Sequence, residues 1–472
     1  MPLAGRQRER DYLDGLLASA DAEFLAIYGR RRIGKTFLVR EYLKSHLAFE
    51  LTGMLDAPLA DQLVNFQSAM KTAGVLDPAM PDSWQQAFAQ LADFLLTLPQ
   101  DSKQVIFFDE LPWLAGHKSK FLPALDHFWN TFLSRHPQFL LIVCGSAASW
   151  MISKLIHHKG GLHNRVTARL RLEPFTLAET ETFVKSRQIS LTRYDLLTLT
   201  MAFGGVPFYL REAKPGRSAA QIIDDACFSQ TGLLREEFSR LYASLFDHPE
   251  RHLDLVRLLA KHPQGLDRGK LTAVHSSGGG LTRTLGELSE AAFITPVRPF
   301  GKKTKDTIYR LSDEYSLFHL RWIEGARGDG NFLSIQSSPS WHAWSGYALE
   351  SLAHRHVPQI KRALGIGGVQ TTHSSWLHRA DATWPQGSQI DLLIDRADHT
   401  INLFEIKFSQ GPFTITKAYA DELRRKLETF KAATGTRKNV FLTFLTPHGL
   451  TANSYAAELA HQSLLTDCLF EP

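Results

Sequence analysis

Two groups of residues in this 472-residue chain have types and spacings suited to phosphate chemistry. The first is Gly29, Arg30, Arg31, Arg32, Ile33, Gly34, Lys35 and Thr36, followed by Phe37, and it reads G-x-x-x-x-G-K-T. The glycines let the backbone turn tightly. Its N–H groups then converge on an anion, and the positive end of the following helix adds to the field. In such a cradle Lys35 reaches the β and γ phosphates and the Thr36 hydroxyl binds Mg²⁺. A nucleotide hydrolase also needs an acid for the metal and a base for water. Asp109 and Glu110 close an apolar run, Gln104–Asp109, where Asp109 can hold Mg²⁺ and Glu110 can polarise the lytic water.

The second group lies near the other end. Asp391 and Glu405 are separated by thirteen residues, and Lys407 follows Glu405 by two. Side chains alternate along a strand, so Glu405 and Lys407 face one side and Ile406 the other. On a neighbouring antiparallel strand Asp391 comes within reach of Glu405. Two carboxylates bind a hard cation through oxygen. A lysine beside them can orient or help deprotonate water, which is the chemistry of metal-dependent phosphodiester hydrolysis. The same letters also arise on an amphipathic strand with its charges outside. The apolar character of Ile401–Phe408 argues against that, because charges buried there need partners.

These residues need elements to hold them. Phe24–Tyr28, Gln104–Asp109 and Phe139–Gly145 are continuous apolar runs, as in parallel strands buried on both faces. The phosphate loop lies between the first run and a helical stretch, Phe37–Lys44. Leu177–Tyr242 has only helical periodicity and suggests a lid on the sheet domain. Helical stretches at 252–260, 266–274 and 281–292 precede two short strands, Phe293–Phe300 and Ile308–Leu311, the order of a winged helix. Its turn carries Lys302, Lys303 and Lys305, either a DNA contact or a solvated tip. Gly325–Ser340 is rich in Gly and Ser and suggests a linker. Beyond it come a long helix, Trp341–Leu364, strands at 390–395, 400–408 and 439–445, and a basic helix, Thr416–Thr434. The expected architecture is α/β. Residues 1–245 form a P-loop parallel-sheet domain with a helical lid, 246–325 a winged helix, and 326–472 a separate α/β domain.

Composition bounds the rest. The chain is 44% hydrophobic and 21% charged, with net charge +5. No apolar stretch approaches the roughly 18 residues of a membrane span. The first residues carry no leader-like apolar segment. Cys144, Cys227 and Cys468 are scattered, which fits a reducing, cytoplasmic setting without structural zinc. His157-His158 and His373…His378 lack acidic or cysteine companions and read as ordinary surface or satisfied histidines.

The motif set resembles known families. Gly5-Arg6-x-x-Glu9, the Arg-rich phosphate loop, Phe107-Phe-Asp-Glu-Leu-Pro-Trp113 and Gly204-Gly205-Val206-Pro207 look like AAA+ ATPases of archaea and bacteria, near the origin-recognition and signal-transducing types. That resemblance implies ATP and Mg²⁺ as ligands, with Gly5 and Arg6 beside the adenine. It implies Ser146 as a γ-phosphate sensor and Arg165 as an arginine finger in cis or from a neighbour, with Arg169 competing. It implies that Pro207 belongs to a lid signature on the nucleotide side. Arg30, Arg31 and Arg32 can balance phosphate charge or face a partner subunit. The C-terminal pattern resembles the PD-(D/E)xK, restriction-endonuclease-like core, with Glu350 as the acid on the preceding helix. Ile390 stands where that family has Pro. Lys417, Tyr419, Arg424, Arg425 and Lys426 are placed to approach nucleic acid. The combined expectation is an ATP-hydrolysing protein governing a metal-dependent nuclease that acts on DNA, with a homo-oligomer possible and no membrane role. A regulatory switch or scaffold with an inactive nuclease-like domain, and a DNA-binding loader led by the winged helix, are the alternatives.

Overall fold

Five strands form a parallel sheet in the order β2-β3-β4-β1-β5. They are β1 (Glu23–Tyr28), β2 (Leu47–Thr52), β3 (Gln104–Asp109), β4 (Phe139–Gly145) and β5 (Ala168–Arg171). The computed structural model describes residues 3–99, 101–116, 118–146, 148–151, 155, 164–246, 248–274, 279–325, 331–380, 382 and 387–472. Alternate residues of the central strands feed two cores. Phe24, Ala26, Ile106 and Phe108 join a cluster that includes Trp84 and Phe88. Leu25, Ile27, Val105 and Phe107 join the one on the opposite face. Burying each such side chain stabilises by about 1.5–3 kcal/mol, which is why β1, β3 and β4 read as unbroken apolar runs. The outer strands β2 and β5 are half exposed, and the apolar-run criterion missed both.

The chain divides into two compact units. The first is Met1–Pro174 with Ala243–Asp247 and Glu290–Ala292; the second is Phe175–Tyr242, His248–Ser289 and Phe293–Pro472. The stretch expected as a lid thus belongs to the second unit. It consists of the helices Leu177–Ser186, Arg193–Phe203, Pro207–Leu210, Ala219–Cys227 and Glu237–Ala243.

In the second unit the helices Pro249–Ala260, Arg268–Val274 and Gly279–Glu290 accompany a small antiparallel sheet, β6-β8-β7. It comprises β6 (Leu266–Asp267), β7 (Ile294–Val297) and β8 (Ile308–Leu311). Lys302, Lys303 and Lys305 are exposed on the turn between β7 and β8. Residues 275–278, part of the glycine break read from the sequence, and 326–330, part of the expected linker, lie outside the described residues. The rest of that linker is more than a tether: Phe332 is fully buried against Phe228, Phe318 and Trp341.

The last sheet runs β13-β12-β11-β10-β9. Its strands are β9 (Thr371–His378), β10 (Ser388–Arg396), β11 (Thr400–Ile406), β12 (Asn439–Thr446) and β13 (Gln462–Leu465). β10 is antiparallel to β9 and β11, while β11, β12 and β13 are parallel. The helix Lys417–Thr434 packs on this sheet through Ala420, Leu423 and Phe430. The expected helix Trp341–Leu364 is two helices, Pro339–Arg355 and Val357–Ala363, because Pro358 breaks the ladder near His356. His373 and His378 sit on β9, a polar strand that the apolar-run criterion also missed.

Several joints bind the second unit together. Tyr194 stacks on Phe408 at 4.6 Å and on His448 at 5.6 Å. Arg355 pairs with buried Glu314 at 2.5 Å and donates to the Phe175 carbonyl. Phe300, following β7, packs on Phe430, and its N–H donates to the Ser375 carbonyl at 2.8 Å. At Gly205, φ is +65°, and a Cβ there would lie 2.4 Å from the Phe175 carbonyl oxygen, so only glycine fits.

Candidate functional site

The phosphate loop leaves the carboxyl end of β1, and Lys35 opens the helix Lys35–Tyr42. Gly29 has φ +141°, and a Cβ there would collide with the Leu172 carbonyl oxygen at 2.3 Å. The close return of the chain explains that glycine. Gly34 caps the helix at φ 89°. Lys35 is buried, and its Nζ donates to the carbonyls of Gly29 and Arg30, each at 2.9 Å. Burial lowers its pKa, with Glu110 and Asp109 among the groups opposing that shift. The Thr36 hydroxyl donates to Asp109 at 2.8 Å, bringing the two expected metal-binding groups together. Glu110 has φ 47° and accepts from the Ser146 hydroxyl at 3.0 Å and from the Ser146 N–H at 3.3 Å. The carboxylate expected to act on water and the hydroxyl expected as a sensor are therefore one hydrogen-bonded pair.

This donor set fits a magnesium nucleotide. A lysine lies at the loop, a hydroxyl–carboxylate pair lies beside it, and a helix start presents backbone N–H groups. Arg6 is buried, and its guanidinium donates to the Ile33 carbonyl at 3.0 Å and the Glu173 carbonyl at 2.7 Å, tying the loop to the segment after β5. Arg165 is displaced. Thr167, two residues on, bonds to Phe24 near the start of β1, whereas the phosphate loop follows its end. Roughly 15–20 Å of strand lies between them at about 3.3 Å per residue, so contact in cis is excluded. Arg165 instead pairs loosely with Asp126 at 3.8 Å, and Arg169 is exposed on β5. Pro207 begins the helix Pro207–Leu210, in the second unit.

The carboxylate group draws on three elements: the helix Pro339–Arg355 carries Glu350, β10 carries Asp391, and β11 carries Glu405. The pairing Leu392↔Phe404 sets Asp391 and Glu405 across from one another at the next step. Lys407 lies 3.5 Å from Glu405. Glu405 is buried, and both its oxygens are engaged. Lys426 holds Oε1, and the Tyr419 hydroxyl donates to Oε2 at 2.7 Å. Asp391 accepts from Gln389. Glu350 has its pKa pushed up to about 8, by burial first and then by the charge of Asp391. Glu350 and Asp391 line a cleft of about 390 Å³ with Arg310, Tyr347, Gln389 and Lys426.

This arrangement fits a divalent cation at one end only. Among the described residues no cation stands in ion-pair contact with Glu350 or Asp391, although Arg310 and Lys426 line the same cleft. The expected pair of Asp391 and Glu405 does not fit it, because Lys426 takes the cation's place at Glu405. Among the described residues no group of three or more His, Cys, Asp or Glu is arranged to hold a metal. The expected nucleic-acid residues also divide. Tyr419 and Lys426 serve Glu405, Arg424 is paired with Asp421 and Glu458, and Lys417 and Arg425 remain exposed.

Residues 3–213 match an ATPase domain predominantly from Archaea. This ATPase-type segment holds the phosphate loop, Asp109, Glu110, Ser146 and Gly204–Pro207, and ends before the carboxylate cleft. An uncharacterized protein of Methanocaldococcus jannaschii is 25% identical over 435 residues, which is 89% of this chain and 91% of that protein. A Walker-type ATPase of Pyrococcus abyssi superposes with a TM-score of 0.51 at 18% identity, covering 68% of this chain and 96% of its own. That likeness speaks for the fold alone. The ORC2 protein of Aeropyrum pernix, in its ADPNP–ADP complexes, superposes with a TM-score of 0.44 at 18% identity, covering 72% of this chain and 97% of its own. No helix among the described residues is long and apolar enough to cross a membrane.

Arg310, Tyr347 and Gln389, which line the cleft, escaped the sequence reading, as did His354 beside Asp391. Arg310 did leave a trace, since it shares a strand face with Ile308, where an apolar residue is the rule. The others carried no local signal. His157-His158 lies outside the described residues, and the three cysteines are free.

Proposed function

We propose that the protein hydrolyses ATP in its first unit and acts on phosphodiesters of DNA at the carboxylate cleft in its second. The observation carrying the first half is the hydrogen bond from Thr36 to Asp109, set beside the Ser146–Glu110 pair. Mg²⁺, held by Thr36 and Asp109, would supply charge to the β and γ phosphates. On binding, Lys35 exchanges its two carbonyl partners for phosphate oxygens. Glu110, oriented by Ser146, accepts hydrogen-bond donation from the attacking water. Arg165 of a second copy, with its exposed side chain, is the candidate finger, which makes assembly part of this reading. The test is Glu110→Gln, expected to keep ATP bound while turnover falls at least a hundredfold. Wild-type turnover in that variant would remove Glu110 from the reaction.

The second half is supported by the convergence of Glu350, Asp391, Glu405 and Lys407 from one helix and two strands. This reading takes the second unit as a winged helix followed by a restriction-endonuclease-like core. A divalent cation at Glu350 and Asp391 would supply a Lewis acid, and Lys407 would orient water. Incubation of the full chain with circular and linear DNA and Mg²⁺ or Mn²⁺, with and without ATP, tests it directly. One observation favours a second reading, a switch or scaffold whose cleft binds without cutting: Lys426 and Tyr419 saturate Glu405. DNA retained but uncut under all metals would select that reading. Absence of DNA binding would reject both.

A further inference from the structure

The cleft around Glu350 and Asp391 has a wall that comes from outside the C-terminal sheet. Pro263, Gln264 and Arg310 belong to the segment of helices and small antiparallel sheet that precedes residue 325. Three contacts fasten that wall. The Tyr347 hydroxyl donates to the Pro263 carbonyl at 3.0 Å, Gln264 donates to Gln389, and Arg310 Nη1 lies 3.2 Å from His354 Nε2. Gln389 in turn donates to Asp391, and His354 lies 2.9 Å from the Asp391 carbonyl. The wall therefore rests on the neighbours of the candidate acids.

Arg310 is the unusual member. It is buried on β8, yet among the described residues no carboxylate stands in ion-pair contact with it. Its partners are an imidazole and the Tyr347 phenol, which carry no negative charge when neutral. A buried guanidinium without a counter-ion is costly unless an anion completes it. Its planar donors match phosphate oxygens in pairs. Glu350 faces the same cleft and feels the Arg310 charge without pairing with it.

Resting on the phosphodiester reading above, we infer that Arg310 is a phosphate-binding residue of the C-terminal cleft, so that the site is composite and the segment bearing β8 supplies one of its walls. A backbone phosphate of a DNA strand enters between Arg310 on one side and the Glu350–Asp391 acids on the other. The exposed lysines at 302, 303 and 305 give only longer-range attraction, because they lie on the turn and not in the cleft.

The test uses the full chain and a fluorescein-labelled DNA duplex, with Ca²⁺ replacing Mg²⁺ so that binding is read without cutting. Arg310→Met should weaken binding about tenfold and lower the slope of log affinity against log salt by about one. Arg310→Gln keeps donors for His354 and Tyr347 and removes the charge; it should show the same loss, which covers the case of a Met variant that fails to fold. Lys305→Met should change affinity less than either. Wild-type affinity and salt slope in a folded Arg310→Gln would overturn the inference, as would a wild-type chain that does not bind the duplex. Failure of the hydrolysis reading looks different: no cutting with any metal, or undiminished cutting by Lys407→Ala, while the Arg310 effect on binding persists.

Discussion

The two candidate sites solve one problem, holding charge beside phosphate, in opposite ways. At the phosphate loop the partners lie at the carboxyl ends of the parallel strands β3, β4 and β1: Ser146–Glu110 joins the ends of neighbouring β4 and β3, and Thr36, on the helix after β1, reaches Asp109 past the end of β4. At the cleft the partners come from a helix, two strands of another sheet and the wall bearing Arg310. Lys426 and the Tyr419 hydroxyl together occupy the key carboxylate there. A site built on neighbouring strand ends is preorganised by the sheet alone. A site built from several elements is preorganised only if the joints between them hold.

That contrast can be broken by mutation. The largest effect should come from Lys35→Ala, which removes the buried ammonium at the loop; nucleotide affinity or turnover should fall about a hundredfold or more. Retained turnover would show that the loop does not grip phosphate. At the cleft, Glu350→Gln and Lys407→Ala should each lower DNA cleavage about 10²–10⁴-fold and leave ATP turnover unchanged. Parallel loss of both activities would mean that the two sites are not separable.

Acid should distinguish the sites next. His356 accepts from the Leu177 N–H at 3.2 Å and donates to the Leu352 carbonyl at 2.8 Å, and burial pulls its pKa down to about 4. A histidine depressed in the fold contributes stability that is present above its unfolded value near 6.5 and lost as pH falls through the folded value. The contribution is on the order of 3 kcal/mol. Unfolding of the second unit should therefore become easier between about pH 6.5 and 4. His356→Gln should flatten that slope in a denaturant titration followed by tryptophan fluorescence. An unchanged slope would mean that other groups carry the acid sensitivity. The smallest effect is expected from Tyr194→Leu, about 1 kcal/mol from lost ring stacking, with a modest rise in KM for DNA where the Lys407 neighbourhood loosens. No change in either would make the stack incidental.

Legibility in the sequence followed the same contrast. The loop, Asp109 and Glu110 were readable because each ends an apolar strand, and the strand itself announces the position; Ser146 came from the family resemblance. β2 and β5 were not readable, since edge strands alternate with solvent and leave no continuous run. Asp391, Glu405, Lys407 and Glu350 were placed on their elements, yet nothing in the sequence showed that Lys426, twenty-one residues beyond Glu405, would return across one helix face to seize it. Arg165 was misjudged for cis contact because spacing along the chain does not say which end of a sheet a residue reaches. Arg310 could be found only once β8 lay beside the cleft.

The ring of Tyr194 limits how the molecule can be taken apart. It belongs to the segment that matches the archaeal ATPase domain, yet its stacking partners, Phe408 and His448, come from the last third of the chain. An aromatic side chain covers on the order of 150–250 Å². A truncated tail expressed alone would turn that adhesive patch outward, next to Lys407, and a recombined tail would need a matching ring from its new host. Head and tail are thus expected to be inherited as one piece, with coordinated changes at these three positions where they change at all.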